Sequence, residues 1–352
     1  MTLKYALMAL SLFVVSEAKA GNFVQTNLTS DGVITAPNTD PNLKNPWGVS
    51  YGPGGPFWVS DNNTGLTTLY DSTGAVQGLV VKIPAAAGGK AIGSPTGQVF
   101  NPSSTDFVVK KGTKSGAASF LFATEDGTIS GWNFSVDSGA AIKAVNMSKT
   151  GAVFKGLAYY TDSAGANYLL AADLHGGVVD MFDSTFKLVA SFRDTTLESV
   201  YAPFNVAVLN GKIYVAYAWV NSTGTDVIPH PGWGVVEEVS STGTVAWKAV
   251  GKTLNAPWGL AIAPAGFGKF GGDLLVGNFG DGHITAYGPK LKALGQLTTA
   301  PKTPLVIDGL WALIVGNGGS GGSASDIYFT AGSNNEADGL LGSISYSSTA
   351  AP

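Results

Sequence analysis

The chain has 352 residues, 45% of them hydrophobic and 12% charged, with a formal net charge of −4 and no cysteine. That length and apolar content suffice for a large core, and the lack of any Lys/Arg block excludes the electrostatic footprint of a nucleic-acid binder. Disulfides, thiolate catalysis and thiolate metal sites are excluded with the missing cysteines.

The first element is a segment with Lys4 as its positive region, an apolar run from Tyr5 to Val15, and small residues in Ala18-Lys19-Ala20 ahead of Gly21. This pattern predicts an export signal over residues 1–20. The remainder, 21–352, is expected to be one secreted domain, periplasmic in a Gram-negative host and monomeric. It has no later stretch long and apolar enough to span a bilayer. Phe23 to Leu28 reads as a strand that pairs beside Ile344 to Tyr346 and closes the fold as a strap. Five Asn-x-Ser/Thr sequons, at Asn27, Asn62, Asn133, Asn146 and Asn221, matter only in a host that glycosylates.

From Pro46 onward one phrase recurs. It has a turn, a Pro-aromatic-Gly or similar start, an apolar run, and a short alternating stretch that ends in an acid or amide. The clearest copies are Pro46-Trp47-Gly48 leading to Asp61, and Pro257-Trp258-Gly259 leading to Asn278. Weaker copies start at Pro95, Lys155, Pro203 and Leu310, so the six starts are 49, 60, 48, 54 and 53 residues apart. That period is the length of a propeller blade. Within the third repeat, Tyr168 to Ala172, Val178 to Phe182 and Leu188 to Phe192 read as strands. In the fifth, Trp258 to Ala263, Asp273 to Asn278 and His283 to Tyr287 do so, with Leu291 to Leu297 as a fourth. The sequence therefore predicts an all-β, six-bladed β-propeller of four-stranded antiparallel blades.

Several stretches carry a more specific likeness. They are Pro46-Trp47-Gly48, Ala123 to Trp132, Tyr201 to Asn205, Asn255 to Leu260, Val276 to Gly282, Ile307 to Leu313 and Tyr328 to Gly332. Together they resemble a family of exported, uncharacterised proteins related to NHL-repeat propellers, over about Phe23 to Tyr346. The resemblance implies a six-bladed propeller of the NHL and SMP-30 kind and implies export. It implies no reaction.

In an antiparallel blade the first strand's start and the second strand's end share one face. Aligning the repeats puts Asp61, Glu125, Asp173, Tyr217, Asn278 and Ala331 in one column at a channel mouth, with Asn62, Asp126, His175, Asp281 and His283 beside it and Glu336 further along its loop. Oxygens from Asp61, Glu125, Asp173 and Asn278 suit a hard cation such as calcium. The competing reading is that an Asp, Asn or Glu at a strand end bonds the backbone of its own turn. Trp47, Phe204, Trp258 and Trp311 either ring the mouth or wedge between blades. Two functions follow. One is a binding or interaction module for a small molecule, a glycan or an extracellular protein, using Asp61, Asn62, Glu125, Asp173, Tyr217, Asn278 and Asp281 or the loop from Val220 to Gly234. The other is a calcium-dependent hydrolase of lactone or ester bonds with Asp126, His175 or His283 as base. No nucleophile elbow, zinc helix motif or phosphate loop is present.

Overall fold

The computed structural model describes residues 22–87 and 91–348, so the expected export signal lies outside the described residues. Six antiparallel sheets stand around one axis. Their innermost strands are Pro46–Ser50, Pro95–Phe100, Phe154–Thr161, Tyr201–Leu209, Pro257–Ile262 and Leu310–Val315. Each blade then meanders outward; in the fifth, Leu274–Asn278, Ile284–Gly288 and Lys292–Gln296 follow in order. Among the described residues no helix is long and apolar enough to cross a membrane.

The sixth blade is completed from the other end of the chain. Asn22–Ser30 pairs antiparallel with Leu340–Ser347, placing Phe23 opposite Tyr346 and Gln25 opposite Ile344, as the strap reading requires. A short strand, Asn38–Thr39, is added outside it, so this blade has five strands rather than four. Phe23 is buried against Phe267, Phe270 and Tyr346, with ring centroids 4.9, 5.9 and 5.6 Å away. Thr29 Oγ1 donates to Gly74 O at 2.6 Å and Asn38 Nδ2 to Thr73 O at 2.9 Å. The N-terminal segment thereby joins the sixth blade to the first.

The recurring phrase has a structural meaning that its repeat length does not convey. In all six blades the pairing of the inner strand with its neighbour slips by one residue near the strand's start, after the first pair in five of them and after the third, Pro203 with Tyr217, in the fourth. Phe154 faces Asp173 but Gly156 faces Ala172, and Pro257 faces Asn278 but Gly259 faces Gly277. Each slip is a β-bulge with one extra residue. Proline is tolerated at the first position because this strand is the blade's inner edge and its start. The glycine after the extra residue answers to close approach of neighbouring inner strands. A Cβ on Gly97 would stand 2.3 Å from Leu157 N, and one on Gly156 would stand 2.8 Å from Asn205 Cα.

Candidate functional site

The six extra residues of the bulges are Trp47, Thr96, Lys155, Phe204, Trp258 and Trp311. The four aromatics among them meet on the propeller axis. Trp47 stacks on Trp311 with centroids 3.5 Å apart, and Trp258 and Phe204 meet Trp47 edge-on at 6.1 and 6.3 Å. All four are buried. They neither ring the mouth nor wedge between blades, as the sequence had suggested. They plug the channel, because each bulge turns its extra side chain inward. The other two are Thr96, whose Oγ1 donates to Phe154 O at 2.7 Å, and Lys155, the one charged member, whose Nζ lies 4.8 Å from the Trp47 ring centroid and whose side chain is 1% exposed.

Above the plug, Lys155 Nζ pairs with Glu125 Oε1 and lies 3.7 Å from Asp226 Oδ1. Asn62 Nδ2 donates to the other oxygen of Glu125 at 3.0 Å. Asn45 links plug to mouth: its Oδ1 accepts from Trp311 Nε1 at 2.9 Å and its Nδ2 donates to Glu336 Oε2 at 2.7 Å. Glu336 closes a left-handed turn in which Asn334, Asn335 and Glu336 have φ of 55°, 52° and 66°. A non-glycine residue pays for that conformation, and three in a row persist only where the surroundings enforce them. Burial, with Asp226 and Glu125 close by, raises the Glu336 carboxyl above its ordinary range against the opposing effects of Asn45 and Lys155.

Beside this cluster opens a cleft of about 330 Å³. It is lined by Asp226, Asp308 and Glu336, by the Phe279 ring and by Pro229 and Val227. Among the described residues no basic side chain lines it. Phe279 in turn stacks on Trp311 at 4.2 Å, so the cleft wall continues the plug.

Most of the column chosen from sequence does other work, one strand out from the axis. Asp61 is fully buried and accepts from Thr68 Oγ1 at 2.7 Å, with burial raising its carboxyl far above the usual range. Asp173 Oδ1 accepts from the Val153 and Gly176 amides, both at 3.0 Å. Asn278 bonds Thr253 O, the Asn255 amide and Asp281 Oδ1. Tyr217 is buried, and burial raises its hydroxyl strongly. The second-strand residue opposite Pro95 is Thr124, so Glu125 stands one step past the column. Asp61, Glu125, Asp173 and Asn278 spend these oxygens separately and do not compose a hard-cation donor set. Among the described residues no three acidic or histidine side chains are grouped closely enough to hold a metal ion.

The three base candidates are also apart in their bonding. Asp126 Oδ2 accepts from the Ala86 amide at 2.6 Å, and exposed His175 has Nδ1 3.2 Å from Thr223 O. His283 Nδ1 lies 3.2 Å from Asp281 Oδ1 without the alignment of a hydrogen bond. In the Val220 to Gly234 loop, Trp233 stacks between Trp219 and His230 at 4.3 and 4.1 Å, so its ring faces are used internally. Sequence reasoning named Asn62 and Glu125, which do meet at the mouth, but passed over Lys155, Asn45 and Asp226. It placed Glu336 only at the margin.

Fold and site together define a six-bladed β-propeller whose channel is plugged by aromatic side chains beneath an acidic mouth. Solved structures agree on the fold. A streptogramin B lyase superposes with a TM-score of 0.51 at 11% identity, covering 94% of this chain and 100% of that one. The PQQ-bound aldose sugar dehydrogenase of Streptomyces coelicolor gives 0.52 at 12%, covering 94% and 99%. An uncharacterized protein of Acanthamoeba polyphaga mimivirus is 30% identical over 333 residues, covering 92% of this chain and 79% of that protein. A second from the same virus is 30% identical over 328 residues, covering 90% and 84%. The chain belongs to the family of these viral proteins. No family model matches it.

Proposed function

We propose that this protein is a binding module that holds a small organic cation in the cleft at its channel mouth. One observation carries the reading: Asp226, Asp308 and Glu336 line the cleft with no basic side chain among its walls, against the Phe279 ring. A carboxylate set over an aromatic face stabilises an ammonium group joined to an apolar body, through Coulomb attraction and cation–π contact. The backbone strain that positions Glu336 supports the same reading, because strain of this kind collects at ligand clamps. Export, expected from residues 1–20, is part of the proposal, and N-terminal sequencing of protein recovered from the medium of an expressing host tests it.

Calorimetric titration with phenethylammonium tests the site. We expect saturable 1:1 binding, weakened roughly tenfold by Glu336→Gln or Asp226→Asn and by added salt, and no binding of phenylacetate. Equal binding of the anion, or none of the cation, would overturn the proposal. Elemental analysis of the same preparation addresses the alternative: stoichiometric calcium would favour a metal-assisted hydrolase of lactones or esters.

A further inference from the structure

The plug divides the channel, and the far side holds a second cavity of about 310 Å³. Every inner strand contributes to it, with Val49, Val99, Leu157, Val206, Leu260 and Leu313 coming from the six blades in turn. These residues lie beyond the bulges, toward the strand ends opposite the acidic mouth. Of the six bulge residues only Trp258 reaches its lining. The lumen differs from the mouth in one chemical respect: it is lined by no carboxylate, ammonium, guanidinium or imidazole. Its polar side chains besides two tyrosines and a serine are Gln98 and Asn205. Asn205 Nδ2 donates to Trp258 O at 2.7 Å and its Oδ1 accepts from the Val206 amide at 2.8 Å, so both ends are engaged. Gln98 Nε2 donates to Gly48 O and Trp58 O, which leaves Oε1 buried without a donor.

We infer that this lumen is a second binding site, for a neutral and mainly apolar molecule. A charged ligand would lose its hydration there with no counter-charge in the wall. A neutral ring system would be enclosed by six rigid strands, the setting in which apolar cavities bind small molecules.

The probe is N-phenyl-1-naphthylamine, a neutral fluorophore with one N–H. We expect saturable 1:1 fluorescence enhancement that phenethylammonium does not displace. Val208→Trp or Ile314→Trp, two half-buried lining positions on different blades, should weaken the probe roughly tenfold or more. Unchanged melting would show that the fold survives, and having both variants keeps the test valid where one fails to fold. The anionic 1-anilinonaphthalene-8-sulfonate should bind roughly tenfold more weakly. Absence of saturable binding, or binding indifferent to both folded variants, overturns the site. Equal affinity for the sulfonate overturns its neutral character.

Discussion

At Gly156 the packing of two inner strands turns on one hydrogen atom. A methyl group there would stand 2.2 Å from Asn205 Oδ1 and 2.8 Å from its Cα, and the latter is backbone of the next blade's inner strand. Gly156→Ala should therefore destabilise by about 1–3 kcal/mol, read as a shift in urea midpoint at constant slope. Gly211→Ala probes the opposite case: no neighbour lies within 4 Å of the added Cβ, but φ is +76°, so only the backbone penalty of about 1–2 kcal/mol applies. The turn residue Glu336 trades the other way. Glu336→Gly removes a left-handed non-glycine residue together with a cleft carboxylate. It should leave the melting temperature unchanged or raised while abolishing phenethylammonium binding, checked by calorimetry on the two proteins side by side. A fall in both would mean that the turn is held for stability alone.

Among the elements, the N-terminal strand has the largest consequence. Asn22–Ser30 covers the outer edge of Leu340–Ser347 and buries Phe23 among three other rings. Phe23→Ala should cost about 3–5 kcal/mol. A chain starting after Ser30 should lose its single cooperative transition and aggregate through the exposed edge, as seen by calorimetry and light scattering. The bulge is the second element of consequence. It was visible in the sequence as a repeated Pro-x-Gly without being legible as a bulge, because a one-residue slip in pairing leaves no trace in composition. Aligning the middle residue of the phrase gives Trp47, Thr96, Lys155, Phe204, Trp258 and Trp311, and the lone lysine in that series was the signal available for the mouth cluster. Asp226 and Glu336 carried no such signal, since they sit in loops that do not repeat.

Across the whole molecule burial raises several carboxyls, Asp61 and Glu336 among them, and two in neighbouring blades bear on stability near neutral pH. Burial, with Asp173 nearby, pushes Asp180 up to about 6. Burial and a hydrogen bond to Asp194 push Glu237 up to about 7, although Lys248 lies 3.1 Å away. Both groups hold their protons more tightly folded than unfolded. Their contribution to stability is therefore complete below about pH 4 and is lost as the pH rises through about 6 to 7. Asp194 acts in the opposite sense: despite the cost of its burial, Lys248 holds it well below the usual carboxylate range, and its contribution is lost only in strong acid. Melting temperature should decline from about pH 5 to 8, and Glu237→Gln should flatten that decline. A profile unchanged by the substitution would show that Glu237 is not the group responsible.

Blade number, strand plan and closing strap are legible in the chain alone, because turns, period-2 alternation and a recurring repeat length are local properties that survive without neighbours. So is the placement of Asp61, Asp173 and Asn278 at strand ends on one face. What those positions do follows from packing in the closed ring. Their oxygens are claimed by Thr68 and by backbone amides within reach of each turn, whereas the axis belongs to side chains that six bulges turn inward. Which groups share the mouth and which line the lumen depends on contacts between residues more than a hundred positions apart, such as Asn45 with Glu336 and Lys155 with Trp47. No local pattern encodes that closeness; it follows from closing the ring.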